Sequence, residues 1–257
     1  MIFTWLKRRR RRKLLSQPFP NEWLAILDAD VPHYAGLLDD QKLRLRDLLR
    51  IFIAEKHWEG CNGLTITDEV QVTIAAEACL LLLGIHGDYC FDRVRSILVY
   101  PAGFEQPVEQ RQHDTVVDEQ VHLAGQAWQN GPVVLAWSDV VRSVQRPRDG
   151  YNVVIHEFAH QIDGIDGEMG GTPPLPNADA VRRWQEVIPR EYERHADCVQ
   201  FGEPTLIQRY GATNRAEFFA VVSECFFEQP WKLEREHSEL YDLWRLVYGI
   251  DPAQWHV

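Results

Sequence analysis

The sequence predicts an α+β fold that is mainly helical, with a small mixed or antiparallel sheet packed between helical layers. Two observations support this class. Apolar residues recur at helical spacing in several segments, and short runs rich in Val, Leu and aromatic residues lie between turn residues. With 257 residues, 45% of them hydrophobic, the chain can bury a substantial core. No internal repeat or long linker occurs, so one compact domain is the simplest expectation.

Apolar periodicity and capping residues define the predicted helices. Leucine and phenylalanine recur at helical spacing over residues 40–54. A second helix is predicted over residues 67–83, because Thr67 is a favourable N-cap, acidic residues fill the first turn and Gly84 follows the last turn. Further helices are predicted over residues 151–163, 178–194, 214–227 and 234–247.

Three segments between the helices have the composition of strands. Ser96–Tyr100 reads Ser-Ile-Leu-Val-Tyr, and residues 131–137 read Gly-Pro-Val-Val-Leu-Ala-Trp. Residues 115–123 are predicted as a strand on the same grounds. These segments would form the small sheet.

Basic charge is concentrated near the start of the chain. Residues 7–13 are all Lys or Arg, whereas the rest of the chain has 20 basic against 38 acidic side chains, a net charge of −18. Residues 1–19 are accordingly predicted to be a disordered basic tail, and residues 20–257 a single domain. The alternative for the tail is a patch for a membrane surface or an acidic partner, to which Phe3 and Trp5 would contribute.

Composition also indicates which kinds of partner and which cellular compartment to expect. An acidic body repels nucleic acid and favours positively charged ligands, such as the free amino end of a peptide. No apolar run approaches the roughly 18 residues of a membrane span, and the start does not have the order of a secretory signal. The five cysteines are scattered without a Cys-x-x-Cys pair, which favours a reducing, cytoplasmic location.

One motif carries chemistry: residues 156–160 read His-Glu-Phe-Ala-His. Positions four apart lie on the same face of a helix, so His156 and His160 can present their imidazoles to one point. Zinc suits imidazole nitrogen and carboxylate oxygen, and its catalytic sites keep one position for water. Glu157 lies beside His156, where it can act as general base toward that water without binding the metal.

The surroundings of the motif separate a metal site from an ordinary pair of core histidines. A His-Glu-x-x-His match arises by chance in roughly one such chain in thirty, so context must decide. The flanking residues are apolar nearly all round, which predicts a buried helix ending at Gly164. Two histidines and a glutamate in such a helix are costly unless they are paired or bound to metal. Zinc is therefore favoured.

A third ligand is needed, and the residues alone leave three candidates. Asp166 lies near the position of the metzincin ligand, but Asp163 stands where that pattern has glycine, and no later methionine turn follows. Glu217 and Glu224 are seven residues apart on one predicted helix and so share a face. For Glu217 the alternative is a capping box with Asn214.

Several segments together resemble the Mlc titration factor A family of bacterial cytosolic zinc peptidases of the gluzincin type. The motif helix continues into Gln-Ile-Asp-Gly, and a Pro173-Pro174 loop follows. Residues 210–220 read Tyr-Gly-Ala-Thr-Asn-Arg-Ala-Glu-Phe-Phe-Ala, and Ser223-Glu224 completes the pattern. The resemblance covers the chain from about residue 20 onward and implies a zincin-like fold. The basic run at residues 7–13 departs from it.

The resemblance implies specific roles for residues of this chain. One zinc ion would be held by His156, His160 and Glu217, with Glu157 as the base and Tyr210 as a catalytic tyrosine. Members of the family are aminopeptidases on small substrates. They also bind the transcriptional repressor Mlc and thereby relieve repression of the glucose phosphotransferase transporter. The aminopeptidase expectation rests on resemblance alone, because no Gly-x-Met-Glu-Asn motif that reads the substrate amine occurs.

Further residues are expected to support catalysis, and two other functions compete with the peptidase. The Tyr210 hydroxyl would stabilise the oxyanion, and residues 133–137 could pair with the substrate backbone unless they form an interior strand. Asp163 and Glu224 are candidates for carboxylates that orient the metal-bound imidazoles. Besides a zinc peptidase, two functions stay open: a repressor-binding protein whose zinc is structural, and a zinc hydrolase of a non-peptide substrate.

Overall fold

The computed structural model describes residues 2–102 and 131–255, with side chains from residue 5 onward. The strand predicted over residues 115–123 lies outside the described residues. In chain order the helices are α1 (Ile2–Leu15), α2 (Asn21–Asp30), α3 (Pro32–Gly36), α4 (Asp39–Glu55), α5 (Asp68–Leu80), α6 (Trp137–Gln145), α7 (Val153–Asp163), α8 (Ala178–Gln200), α9 (Arg215–Glu228), α10 (Pro230–Glu236) and α11 (Ser238–Tyr248), with 3₁₀ turns at Gly164–Asp166, Arg209–Ala212 and Pro252–Gln254.

The described strands form one three-stranded sheet: β1 (His57–Gly60), β2 (Ser96–Tyr100) and β3 (Val133–Ala136), in the order β1-β2-β3. Both pairings are parallel, so the α+β class is confirmed, while the expected mixed or antiparallel arrangement is not seen among these strands. Helix α5 lies between β1 and β2 in the chain and provides the crossover that parallel pairing requires. The sequence did not indicate β1, because His-Trp-Glu-Gly contains no apolar run.

The predicted helices are present with shifted ends, and the largest shift is in α8, which continues beyond residue 194 to Gln200. Thr67 caps α5, its side chain accepting a hydrogen bond from the N–H of Val70. The helix predicted over residues 234–247 is two helices, α10 and α11, with a break at His237. His237 has non-helical backbone angles of φ −140° and ψ 56°, and its Nδ1 lies 3.2 Å from Oε2 of Glu191 on α8. This tertiary contact accompanies the break.

The structure differs from the expected disordered tail, because residues 2–15 form α1, which packs on α4. Lys7 Nζ lies 2.6 Å from Asp92, and the buried Arg11 guanidinium lies 2.6 Å from Glu55 at the end of α4. Arg50 of α4 donates to the backbone carbonyl of Gln17 at 2.9 Å. Acidic side chains from other parts of the protein thus hold the basic helix α1 in place. A count of like charges along the chain does not reveal these partners, because they are distant in sequence.

Helix α7 lies in the interior and contacts α5, α9 and β3. Phe158 packs the apolar face of α7 against the core. The ring centroid of Phe158 is 4.7 Å from that of Phe91 and 5.4 Å from that of Phe52. The opposite face, with the two motif histidines, is turned toward α9. No helix among residues 2–102 and 131–255 has both the length and the apolarity needed to cross a bilayer.

Candidate metal centre

The start of α7 is fixed by a side-chain cap. Asn152 Oδ1 accepts a hydrogen bond from the N–H of Ile155 at 3.1 Å, which satisfies one of the donors exposed at a helix N-terminus. The cap defines where the helix begins, and the four-residue spacing puts His156 and His160 on one face, with Glu157 beside His156. Each of these three residues is about 7% exposed, at the edge of the core.

The start of α9 presents Glu217 to this face. Asn214 caps the helix by accepting from the N–H of Glu217 at 2.9 Å, so half of the predicted capping box is present. The carboxylate of Glu217 points elsewhere: its Oε2 lies 3.2 Å from Nε2 of His156 and 3.4 Å from Nε2 of His160. The competing interpretation of Glu217, a reciprocal cap, therefore does not describe its side chain.

The three donor atoms have the spacing of metal ligands. Around tetrahedral zinc, bonds of about 2.0–2.1 Å put neighbouring donors about 3.3 Å apart. The nitrogen-to-oxygen distances of 3.2 and 3.4 Å match this separation, and the donors of His156, His160 and Glu217 lie within 4.8 Å of one another. Oε2 of Glu217 is buried and accepts no hydrogen bond from any described residue. The donor set thus fits a metal that takes nitrogen and oxygen ligands.

Glu224 contacts the ring nitrogen of His156 that faces away from Glu217, and so orients this imidazole. Its Oε1 is 2.8 Å from Nδ1 of His156, and its Oε2 accepts from the N–H of Asn152 at 2.6 Å. A carboxylate only accepts, so Nδ1 carries the hydrogen and Nε2 presents its lone pair toward the other donors. Both oxygens of Glu224 thus accept hydrogen bonds, one from His156 and one from Asn152. Of the two candidate glutamates, Glu217 and Glu224, only Glu217 belongs to the cluster of converging donors.

The remaining acidic candidates lie apart from this cluster. Oδ1 of Asp166, in the 3₁₀ turn after α7, accepts from the N–H of Glu168 at 3.0 Å. Asp163 is fully buried, and its Oδ2 accepts from the N–H of Gly171 at 2.8 Å. Burial raises the pKa of Asp163 to about 6 against the opposing effect of its backbone donors. Asp163 thus holds the loop that follows α7.

The electrostatics of the site favour a cation. Burial lowers the pKa of His156, but the carboxylates of Glu217, Glu224 and Glu157 outweigh this effect and raise the pKa to about 10. Burial raises the pKa of Glu217, and the two imidazoles reverse this and lower it to about 2. The carboxylates therefore create a negative potential that draws positive charge to the imidazoles, whether a proton or a metal ion.

Tyr210 lies at the entrance of the site, in the 3₁₀ turn Arg209–Ala212. Its ring centroid is 6.0 Å from that of His156, and the residue is 38% exposed. Helix α8 holds this turn in place: the Tyr192 hydroxyl donates to the carbonyl of Ala212 at 3.1 Å, and Nε2 of His195 contacts the carbonyl of Gln208 at 3.1 Å. The structure therefore brings Tyr210 beside His156, the first histidine of the motif.

The sequence did not identify the residues of α8 that support this turn. Glu191 and His195 have charged neighbours in the sequence, a pattern typical of a solvated helix face, but they are only 7% and 4% exposed. Gly211 shows how closely the turn approaches α8, because a Cβ at this position would lie 3.3 Å from Nε2 of His195. The glycine after Tyr210 indicated that the backbone passes close to another element at this position, but it did not identify that element as α8.

A second buried polar cluster lies behind Asn152. This His33 cluster consists of His33, Glu77, Asn152 and Glu228. His33 Nδ1 is 3.1 Å from Oε1 of Glu77, and Nδ2 of Asn152 donates to Glu77 at 2.8 Å and to Glu228 at 3.1 Å. Glu77 was detectable in the sequence as a lone acid inside the apolar α5. Its partners are distant in the chain and were not predicted.

Comparison with known proteins identifies a family of metallo-peptidases that matches this chain. A family model described as the glucose-regulated metallo-peptidase M90 matches residues 5–249. The match begins inside α1, further toward the N-terminus than the resemblance seen in the motifs.

Relatives match over most of their length. An uncharacterised protein of Synechocystis sp. is 39% identical over 245 residues, covering 95% of this chain and 89% of that protein. Mlc titration factor A of Cronobacter sakazakii is 32% identical, covering 91% of this chain and 87% of that protein. Mlc titration factor A of Klebsiella pneumoniae is 33% identical, covering 87% and 84%. The predicted resemblance is thus confirmed: the chain belongs to the glucose-regulated metallo-peptidase M90 family.

Proposed function

We propose that this protein is a zinc-dependent peptidase that hydrolyses peptide bonds in the cytoplasm. One observation carries the proposal: the Nε2 atoms of His156 and His160 and the Oε2 atom of Glu217 converge at ligand spacing, and the oxygen is buried without a hydrogen bond from the described residues. Two imidazoles and one carboxylate are a ligand set typical of catalytic zinc. The membership in a metallo-peptidase family supports the same conclusion.

The number of donors favours a catalytic over a structural zinc. Structural zinc sites are closed by four protein ligands, whereas catalytic sites use three and keep one position for water or substrate. The donors brought together within the described part of the chain are three. Bound zinc would lower the pKa of a water molecule to about 7 and polarise the scissile carbonyl.

The chain's own residues would then move the protons. Glu157 follows His156 directly and is near enough for its charge to raise the pKa of that imidazole. As general base, Glu157 accepts a proton from the attacking water and delivers it to the leaving amine. Glu224 keeps His156 in the tautomer and orientation that binding requires. The Tyr210 hydroxyl donates to the oxyanion that forms on the substrate carbonyl.

The sheet offers a place for the substrate backbone. Strand β3 pairs with β2 on one side and contacts α7, which carries the motif. Among the described strands β3 is the last in the order, so its other edge can pair with an extended peptide. An acidic surrounding favours the free amino end of such a peptide, which supports aminopeptidase action on small substrates.

A regulatory role is the second part of the proposal. Relatives covering most of this chain have the name Mlc titration factor A. We propose that this protein likewise binds an Mlc-like transcriptional repressor and so relieves repression of the glucose phosphotransferase transporter. Binding does not require turnover, so the Glu157→Gln variant should still associate in calorimetry. If the unmodified protein shows no association, the regulatory role is excluded and the peptidase remains.

The peptidase proposal is tested at Glu157. Glu157→Gln keeps the size and burial of the side chain but removes the base. Turnover of aminoacyl amides should fall by roughly 10²–10⁴-fold while zinc content stays complete. A chelator should abolish the activity of the unmodified protein, and zinc should restore it. Near-normal turnover by a zinc-loaded Glu157→Gln protein would exclude this mechanism. Activity on esters or other non-peptide substrates alone would favour the alternative zinc hydrolase.

A further inference from the structure

Helix α1 has two faces with different partners. The inner face carries Lys7, Arg8 and Arg11, and these pair with Asp92, Asp88 and Glu55 of the body. Because successive residues are rotated by about 100°, these three basic side chains lie within about 100° of the helix circumference. The ion pairs fix the rotation of α1 on the body, and they also fix what the opposite side presents to solvent.

The outer face of α1 combines basic and large apolar side chains. Trp5 is 54% and Leu6 is 48% exposed, and they share an arc of about 160° with four exposed basic residues. The guanidinium of one of these lies over the Trp5 ring, 5.5 Å from its centroid. The outer face is defined by Trp5, Leu6, Arg9, Arg10, Arg12 and Lys13.

The basic residues of the outer face have no acidic partner among the described residues, in contrast to Arg182 and Arg235, which are also exposed. Arg182 pairs with Asp179 at 2.7 Å, and Arg235 pairs with Glu236 at 2.6 Å. The chain outside residues 7–13 has a net charge of −18, so acidic side chains are plentiful. The outer face is therefore a patch of uncompensated positive charge on an otherwise acidic protein.

We propose that the outer face of α1 binds the surface of an anionic phospholipid bilayer, with α1 lying in the plane of the interface. Basic side chains beside an anionic bilayer bind its phosphates, while tryptophan and leucine enter the boundary between headgroups and acyl chains. Exposed Trp5 and Leu6 within the basic arc favour a bilayer over a nucleic acid, because a nucleic acid offers no apolar layer for them. The proposal is independent of the peptidase function.

Vesicle sedimentation with the full chain tests this interaction. The protein should bind vesicles of phosphatidylcholine mixed with phosphatidylglycerol, and it should remain in solution with phosphatidylcholine alone. Binding should weaken as salt is raised, because the charges on the outer face are exposed and screened. Each basic residue near an anionic surface contributes roughly a fivefold gain in affinity. Replacing all four should therefore weaken binding by about two to three orders of magnitude: Arg9→Gln, Arg10→Gln, Arg12→Gln and Lys13→Gln.

Two further variants separate the contributions. Trp5→Ala with Leu6→Ala should weaken binding to anionic vesicles while leaving its salt dependence. Arg182→Gln with Arg235→Gln removes two exposed charges elsewhere and should bind as the unmodified protein does. All of these changes leave the inner ion pairs of α1 intact, and circular dichroism checks that each variant is folded.

Three results would overturn the proposal. The first is equal sedimentation with neutral and anionic vesicles, or none with either. The second is a variant without the four outer charges that sediments like the unmodified protein. The third is salt-sensitive binding to duplex DNA, measured by fluorescence polarisation, in a protein that does not bind anionic vesicles.

Discussion

The metal site and the His33 cluster lie on either side of Asn152, and each sets a buried imidazole between glutamate carboxylates. In the His33 cluster every carboxylate oxygen has a partner: Glu77 contacts His33 and Asn152, and Glu228 contacts Asn152 and the N–H of Arg148. In the metal site, Oε2 of Glu217 has no hydrogen bond from the described residues, although two imidazole nitrogens are within 3.4 Å.

This difference separates a structural cluster from a metal site. Buried carboxylates and imidazoles stabilise a fold when donors and acceptors pair one to one, since an unpaired buried polar group is costly. Acceptor atoms that converge on one point without hydrogen bonds between them need a cation instead. The His33 cluster meets the first condition and the metal site meets the second. Composition alone, two glutamates around a histidine, does not distinguish them.

The largest contrast is expected from removing one glutamate of each cluster. Glu217→Ala deletes a donor of the metal site, so zinc affinity should fall by more than about 100-fold, the upper end for residues that only support a ligand, and activity should fall with it. Glu228→Gln, in the His33 cluster, should retain zinc. Zinc per chain after dialysis measures both. Normal zinc content in Glu217→Ala, together with its loss in Glu224→Ala, would mean that Glu224 is the ligand.

Tyr210→Phe tests whether the entrance of the metal site takes part in catalysis. Removing one oxyanion donor should lower kcat by roughly 10²–10³-fold, or about 2.7–4 kcal/mol, with zinc content unchanged. Tyr192→Phe is the matched control, because it removes a hydroxyl that supports the same turn through Ala212. Its effect on kcat should be smaller. If Tyr210→Phe turns over at the normal rate, the tyrosine is structural.

Glu224→Ala should have an intermediate effect, because Glu224 contacts both regions without being a ligand. It orients His156 through Nδ1 and accepts from the N–H of Asn152. Loss of such a support costs about 10–100-fold in metal affinity or activity. Zinc titration with a competing chelator gives the affinity. Glu224→Gln retains a hydrogen-bonding side chain and should lose less, and equal losses in the two variants would contradict the orienting role.

The smallest effect on zinc is expected from His33→Gln, which should change stability instead. Burial lowers the pKa of His33, but Glu77 and Glu228 outweigh it and raise the pKa from 6.5 to about 9. The folded state thus holds the proton more tightly, and this stabilisation is complete below about pH 6.5 and lost as pH rises through about 9.

Glu228 changes stability with pH in the same direction. Burial raises the pKa of its carboxyl group from 4.5 to about 7, so stability falls as pH rises through that range. Denaturant unfolding from pH 6 to 9 should show roughly 1–3 kcal/mol of loss in the unmodified protein. His33→Gln should be less stable at the acidic end, flatter across the range and fully loaded with zinc. A steep pH dependence that persists in His33→Gln would assign it to other groups.

The sequence by itself determined the features that depend on neighbours along one helix. His156 and His160 share a face because they are four residues apart, and Thr67 caps α5 through a donor three residues away. Ser96–Tyr100 was predicted with the bounds that the structure has. These features follow from local geometry, so a single segment contains the information they need.

Only the tertiary structure decided how distant segments meet. Glu217 and Glu224 share a face of α9, so helical spacing alone leaves both as candidate ligands, yet one meets Nε2 and the other Nδ1 of His156. The acidic partners of α1, the parallel pairing of the strands and the closure of the His33 cluster likewise join residues far apart in the chain. Hydrogen bonds and metal ligation act over about 2–3.5 Å. Which groups come within that range depends on helix packing, not on spacing in sequence.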